Sequence, residues 1–330
     1  MANIKDVARE AGVSTATVSH VINGTRFVKE QTKDKVVKAM DKLDYHPNYA
    51  ARSLRSNKSH IVGLLIPDVS NLFYMTMVKG IEKELRKNNY NLIVSDTNGK
   101  LANEKSQIKA FNSQLIDGLI MRPVNEDHSF LKNIENCCPR VFVDCKPNNF
   151  DEGDMVLSEN YKGAKEAINL LIKKGHNKIG IISGLSGLTT STERLEGYKD
   201  ALKENNIPLN KNLIKYGDYR INSGYKLMKE LIEEDNGLTS VFIANNAMTI
   251  GAMKLLKEKN IKIPDDISLI GFDDSDWASI TDPPLTVVKQ SSFEMGKKAA
   301  ELILKRINNN EDNKFEEYRL PTSIIERESC

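Results

Sequence analysis

The chain has 330 residues, 40% of them hydrophobic and 28% charged, which leaves room for two or three domains with sizeable cores. No apolar run approaches the roughly 18 residues that a membrane helix needs, and Met1 leads into Ala-Asn-Ile-Lys-Asp rather than a secretory signal, so a cytoplasmic protein without a membrane partner is expected. The formal net charge of +2 hides an asymmetry: residues 1–60 hold 11 Lys/Arg against 6 Asp/Glu, whereas the remainder holds 36 against 39, and a basic head on a mildly acidic body suits a polyanion as well as it suits an ordinary solvated face.

Ile4, Val7, Ala8 and Ala11 recur at i, i+3, i+4 and i+7, which predicts a short helix with one buried face. Gly12 supplies its stop and a tight turn. Ser14 is a good N-cap for a second helix, whose buried stripe is Val18, Val21 and Ile22 and whose end falls at Asn23-Gly24. Val36, Met40 and Leu43 mark a third helix, stopped before His46-Pro47. Helix, short turn, helix and a bracing helix make a helix-turn-helix arrangement. The second helix then presents Thr15, Ala16, Ser19, His20 and Asn23 outward, with Arg26 just beyond and no carboxylate among them. Base edges in a major groove are read by short donors and acceptors of this kind, and a carboxylate there would be repelled by the phosphates. A generic three-helix bundle with a polar surface would give the same periodicity.

The next stretch, residues 48–56, allows barely two helical turns, too few for a stable isolated helix, and runs into the polar Asn57-Lys-Ser-His60. The segments NIKDVAREAGVSTATVSHVIN, NGTRFV and YHPNYAARSL resemble the DNA-binding head and hinge of the LacI/GalR family of bacterial repressors. VSHVIN and TRFV are most similar to the purine-repressor branch, with Ala16 standing where that branch has Thr. The resemblance implies that Ser14, Thr15, Ala16, Thr17, His20, Asn23 and Arg26 meet operator DNA. It further implies a hinge at 48–60 that becomes helical on the operator. Paired hinge helices would enter the minor groove there, with Leu54 wedging a base step, Ala51 allowing close approach, and Tyr49 and Arg55 alongside. Apolar wedges of this kind kink a duplex.

From Ile61 the pattern changes to apolar runs alternating with amphipathic stretches. IVGLLI (61–66), NLIVS (91–95), GLIM (118–121) and VFV (141–143) read as buried strands separated by helices to about Asn88, through Leu115, and between 121 and 141. A second series begins near Tyr161, with a helix ending at Gly175-His176, then KIGIIS (178–183), IKY (214–216), SVFIA (240–244) and SLIGF (268–272). Helices run through Asn205, to Glu234 and to Asn260, and LTVVK (285–289) follows. Buried strands alternating with helices predict parallel sheets covered on both faces, and two such runs predict two similar lobes.

Ligands of open α/β sheets sit beyond the carboxyl ends of the strands. Those ends carry Asp68 and Phe73, Asp96, Arg122 and Asp144 in the first series. In the second they carry Thr190 and Arg194, Asp218 and Tyr219, Asn245 and Asn246, Asp273 and Asp274, and Gln290. Such a set hydrogen-bonds hydroxyl pairs and stacks on a sugar or a base, though each Asp or Asn alone also fits a helix cap or turn. GLSGLTTSTERLEGY, FIANNAMTIGAM, IPDDISLIGFDD and DPPLTVVKQ resemble the periplasmic-binding-protein-like effector core of LacI/GalR regulators. On the matching positions Phe73, Thr190, Arg194, Tyr219, Asn246, Asp273 and Gln290 would face the effector, with Asn246 standing where many members have Asp.

The four cysteines (Cys137, Cys138, Cys145, Cys330) and five histidines form no spaced metal pattern, and Asp273-Asp274 lacks a third ligand, so neither metal nor cofactor is expected. No G-x-G-x-x-G, P-loop, H-E-x-x-H or G-x-S-x-G is present, which argues against an enzyme. The expected architecture is an all-α helix-turn-helix head, 1–47, a hinge and linker, 48–60, and an α/β core, 61–330, of two doubly wound parallel-sheet lobes. The first lobe would take about 61–160 and 292–322, the second about 161–291 and 323–330. The expected function is a repressor whose affinity for a palindromic operator is switched by a small polar effector, a sugar or sugar derivative, with a homodimer as the minimum. No heptad tail follows Ile325 to build a tetramer. The competing reading is a sugar-binding or sugar-processing α/β protein with an incidental helical head. Sugar regulators of the resembled family mostly release DNA on binding ligand, and purine-type members mostly require it.

Overall fold

A computed structural model describes residues 2–23, 26–45, 58–113, 116–134, 138–234, 237–308 and 314–330. Two compact units divide the chain, Met1–Ser59 and His60–Cys330.

In the first unit α1 (Ile4–Ala11), α2 (Thr15–Asn23) and α3 (Glu30–Lys42) enclose a small core of Val7, Ala8, Ala11, Val18, Val36 and Ala39. Asn3 caps α1 reciprocally with Asp6: its Oδ1 accepts the Lys5 and Asp6 amides, and Asp6 accepts the Asn3 amide at 3.0 Å. Gly12 ends α1 at φ +66°, a conformation that glycine adopts without a Cβ penalty. The third helix stops earlier than His46-Pro47. Its last residue is Lys42, and the Leu43 amide closes back on Ala39 while Asp44 turns to φ +47°. The hinge stretch, with Tyr49, Ala51, Leu54 and Arg55, lies outside the described residues.

The second unit holds two six-stranded sheets. The first has β1 (Ile61–Ile66), β2 (Asn91–Asp96), β3 (Gly118–Met121), β4 (Arg140–Val143), β5 (Asp154–Ser158) and β11 (Glu317–Leu320) in the order β11-β5-β4-β3-β1-β2, all parallel. The second has β6 (Ile179–Ser183), β7 (Ile214–Tyr216), β8 (Ser240–Ile243), β9 (Ser268–Phe272), β10 (Thr286–Gln290) and β12 (Thr322–Ile325) in the order β12-β10-β9-β8-β6-β7, with β12 antiparallel to β10. The two orders match position for position, so each strand of one lobe has a counterpart in the other. Strands β5, β11 and β12 are absent from the sequence-based expectation. They are four or five residues long, and the last two carry Arg or Ser among apolar residues, which hides a strand period. The helix expected between β3 and β4 is replaced, among the described residues, by a 3-10 turn at Ser129–Asn133.

Helices α4 (Leu72–Lys87) and α10 (Ser292–Asn308) cover one face of the first sheet and α5 (Leu101–Ser113) the other. On the second sheet α6 (Asn160–Lys173) and α7 (Thr189–Glu204) cover one face, α8 (Ile221–Glu234) and α9 (Asn246–Glu258) the other. The chain therefore exchanges lobes: α6 follows a strand of the first sheet and packs on the second, and α10 does the reverse. Glycines bring the paired helices together. A Cβ at Gly80 would overlap the Phe293 carbonyl and one at Gly296 the Met77 carbonyl; Gly224 and Gly251 stand likewise against Met248 and Ile221. Because the obstacle is backbone, Gly251→Ala should lower stability by about 1–3 kcal/mol through overpacking, against the roughly 1 kcal/mol that the same change returns in an open helix. The urea midpoint measures this, and an unchanged or raised midpoint would mean that α8 and α9 lie further apart.

Candidate functional site

A cleft of about 320 Å³ opens between the two lobes at the carboxyl ends of the strands. Its floor is built twice over. Asp144 follows β4 and Asp273 follows β9, which are counterparts in the two sheets. Both residues have left-handed backbone, at φ +65° and +80°, which non-glycine residues occupy at a cost. In both, the amide donates sideways to the next strand: Asp144 to Val156 O at 3.0 Å, Asp273 to Val288 O at 2.9 Å. The turn aims each carboxylate into the cleft instead of along the strand.

Each carboxylate has a donor beside it. Arg122 Nε donates to Asp144 Oδ2 at 3.2 Å, with both side chains 7% exposed. Gln290 Nε2 donates to Asp273 Oδ1 at 2.6 Å. Burial pushes the Asp273 carboxyl above the ordinary carboxylate range, against the pull of Arg194 and the Gln290 hydrogen bond. Arg194 is fixed on three sides: Nε donates to Asn160 Oδ1 at 2.9 Å, Nη1 to the Ala244 carbonyl, and the guanidinium lies 3.6 Å from the Phe272 ring centre. The Tyr219 hydroxyl meets Thr190 Oγ1 at 3.2 Å and the Ser191 hydroxyl, and burial pushes its pKa above the ordinary phenol value, which keeps it protonated. Cys145 reaches Thr190 Oγ1 at 3.6 Å, and burial pushes its thiol up to about 11, which leaves it protonated and unreactive at neutral pH.

Of the residues expected from sequence, Phe73, Thr190, Arg194, Tyr219, Asp273 and Gln290 come together in this cleft. Asn246 does not. As the first residue of α9 it turns its side chain to Asn71 Oδ1, 3.2 Å away, and lines a neighbouring depression with Ile250 and Trp277. Asn245, which caps α9, lines the cleft as well. Gln290 is the last residue of β10 rather than the residue after it.

Sequence reasoning missed Tyr74, Asn125 and the buried pair beneath Asn125. Tyr74 neighbours Phe73 on α4, so a wider window around the strand-end residue would have found it. Asn125 Nδ2 donates to Ser186 O in the other lobe at 2.6 Å. Its loop is anchored from below by Glu104, whose Oε2 accepts the Val124 amide at 3.0 Å and whose Oε1 meets His128 Nε2 at 2.9 Å, with both side chains fully buried. These partners are 20 and 24 residues apart, and no local pattern joins them.

In the head, Ser14, Thr15, Ala16 and Arg26 are exposed, and Thr17 and His20 half-buried. Ser14 Oγ accepts the Thr17 amide at 3.1 Å and meets Thr17 Oγ1 at 2.9 Å, so these two hydroxyls fix the start of α2.

Residues 3–48 match the family model for bacterial regulatory proteins of the lacI family, and residues 168–330 match that of the periplasmic binding protein-like domain. The chain is 37% identical over 329 residues to an HTH-type transcriptional repressor PurR of Vibrio atlanticus, covering 99% of this chain and 98% of that protein. It is 38% identical over 333 residues to an HTH-type transcriptional regulator RegA of Clostridium acetobutylicum, covering 100% and 99%. Among solved structures, a lac repressor dimer bound to operator and the anti-inducer ONPF superposes with a TM-score of 0.85 at 26% identity, covering 99% and 98%. A complex of the transcriptional regulator CelR with cellobiose superposes with a TM-score of 0.76 at 27% identity, covering 100% of each chain. A helix-turn-helix head joined to a two-lobed α/β core defines a DNA-binding regulator with an effector domain. The chain belongs to the lacI family of bacterial regulatory proteins, and its similarity to PurR repressors fits the purine-repressor branch read in VSHVIN and TRFV.

Asp273 gives the cleft a measurable signature. Its carboxyl is protonated more readily in the folded chain than in the unfolded one. Its contribution to stability is therefore full below the ordinary carboxylate range and is lost as pH rises through the raised folded value. Asp273→Asn keeps the shape and removes the ionisation. The melting temperature of the variant relative to the unaltered protein should climb as pH rises from the ordinary carboxylate value of about 4 through the raised folded value; a difference flat from about 4 upward would place Asp273 in a well-solvated position.

Proposed function

We propose that the chain is a transcriptional repressor whose operator affinity is switched by a sugar or sugar derivative held between the lobes. Residues 1–47 form the DNA-binding head, 48–60 the hinge and 61–330 the effector and dimerisation core. It acts in the cytoplasm as a homodimer on a palindromic operator, because a two-fold site calls for a two-fold protein.

The observation that supports the ligand class best is the doubled floor of the cleft. Asp144 with Arg122 and Asp273 with Gln290 offer a carboxylate beside a donor from each lobe. A hydroxyl is both donor and acceptor, so a polyol satisfies such pairs at both ends, while Phe73, Tyr74 and Tyr219 supply faces for a ring. The similar complex of CelR with cellobiose is in keeping with this class. A ligand that touches both floors favours the closed arrangement of the lobes. A preference of this kind couples cleft to head by an amount that is reciprocal and typically about 1–3 kcal/mol.

A thermal-shift screen of sugars, sugar derivatives and purines on the full chain tests the class, because a bound ligand raises apparent stability by mass action. A sugar should raise the melting temperature and change affinity for DNA selected by the protein from a random pool. Asp273→Ala should lose that response and keep basal DNA binding. Stabilisation by purines alone would sink the sugar reading, and a full response in the variant would move the site elsewhere.

On the head, the exposed, carboxylate-free surface of α2 supports base reading by Thr15, Ala16, His20 and Arg26, with Ser14, Thr17 and Asn23 at its borders. His20→Ala should weaken binding to the selected DNA far more than to random DNA, by roughly 1–3 kcal/mol of discrimination for one lost base contact. Equal losses on both DNAs, measured by fluorescence anisotropy, would make His20 a phosphate contact. In the hinge, Leu54 and Ala51 fall three residues apart in sequence and would share one side if the segment became helical, which suits the wedge role proposed for Leu54.

A further inference from the structure

The chain passes between the lobes at one edge of the two sheets. The crossings fall after β5, after β10 and between β11 and β12, and these four strands hold the first two places in the matching strand orders. Toward the other edge the lobes are joined by hydrogen bonds. Asn246 Nδ2 donates to Asn71 Oδ1 at 3.2 Å, Asn125 Nδ2 to Ser186 O at 2.6 Å and Arg220 Nη2 to Asn98 Oδ1 at 2.8 Å. The bonds follow the doubling of the sheets. Asn71 and Asn246 come after β1 and β8, Asn125 and Ser186 after β3 and β6. Because β1 is the counterpart of β6 and β3 that of β8, these two bonds are images of each other. Asn98 and Arg220 come after β2 and β7, counterparts at the far edge. One edge is thus a covalent hinge and the opposite side a three-point clasp. A hinge alone leaves the angle between the lobes free.

The Asn125 arm is built from below. Asn125 lies between two donors to one buried carboxylate: the Val124 amide reaches Glu104 Oε2 at 3.0 Å and His128 Nε2 reaches Oε1 at 2.9 Å. A carboxylate only accepts, so His128 carries a proton on Nε2, and its Nδ1 is buried without a partner. Burying a carboxylate and an imidazole is costly, and two apolar side chains would fill the same space at a lower penalty. What the pair does, and apolar residues could not, is to fasten both flanks of Asn125 to α5. On the other lobe Gly187 lets the amide seat closely: a Cβ there would stand 3.0 Å from Asn125 Oδ1.

We propose that these three bonds form a clasp by which the chain itself sets how far its lobes stay closed, and that Glu104 and His128 are positioning residues for the Asn125 arm. The clasp rests on the effector reading above in one respect: it supplies the resting balance that a ligand then shifts.

Cys145 reports that balance in the protein as it stands. It is fully buried, and its Sγ lies 3.6 Å from Thr190 Oγ1 of the other lobe, so a thiol reagent reaches it when the lobes part. The test labels the full chain with N-ethylmaleimide, without effector or DNA, and follows Cys145 by peptide mass spectrometry. Asn125→Ala and Arg220→Ala should each speed its labelling about two- to tenfold, the net weight of one hydrogen bond. The rate should hardly change in low urea, because parting lobes expose little surface. His128→Ala should match Asn125→Ala and add nothing to it in the double variant. His128→Gln keeps an N–H toward Glu104 and should restore the slow rate. Unchanged labelling in both Asn125→Ala and Arg220→Ala, or a rate that follows the urea dependence of global unfolding, overturns the clasp. Additive effects of His128→Ala and Asn125→Ala, no rescue by His128→Gln, or a His128→Ala chain that does not fold makes the buried pair a general support and overturns its positioning role. Variants that open faster yet bind the selected DNA with unchanged affinity overturn the coupling of cleft to head and leave the clasp standing.

Discussion

The parallel sheet fixes where everything else in the core must go. Parallel strands need helical crossovers, so all the loops that follow strands gather at one edge of each sheet. Two sheets with matching strand orders set those edges against each other. The left-handed turn at Asp144 and at Asp273 then converts sheet geometry into chemistry, because the sideways amide bond to the next strand holds each carboxylate inward. Burial and strain at these two positions are costs that the surrounding sheets bear, and a ligand that donates to both carboxylates offsets part of them.

Much of this was legible in the sequence, and the reason is local. The runs IVGLLI, GLIM and SLIGF are buried on both faces and carry no polar interruption, so their strands and the residues after them stand out. Asp273, Arg194 and Tyr219 were reachable by reading one or a few residues past such runs or by the family motif. What was hidden depends on distance. Strand β11 is polar and short, and only its pairing with β5, about 160 residues earlier in the chain, makes it a strand. Asn245 was noted after its strand, but its role as the cap of α9, which sets it beside the cleft next to Asn246, shows only in the folded chain. The Glu104–His128 pair under the Asn125 loop has no signature at all, since neither residue marks itself as buried until α5 and the loop are in place.

The head follows a different logic. It has few buried residues, and α1 and α2 are defined largely by their ends: Asn3 and Asp6, Gly12, and Ser14 with Thr17. Capping residues are read from neighbours in sequence, which explains why the start of α2 at Ser14 was foreseen more closely than the end of α3, where no side chain marks the stop.

The last two strands belong to different lobes and are separated by Pro321 alone. Strand β11 completes the edge of the first sheet and β12 that of the second, and the joint is tied to the earlier crossing through Glu159, whose amide donates to Leu320 O at 2.9 Å. During synthesis, therefore, neither sheet can be completed until residues 317–325 have left the ribosome, although the head is made earlier and needs nothing from the lobes for its own core. A nascent chain would carry a finished head attached to two unfinished lobes, whose open edges close almost together as β11 and β12 appear.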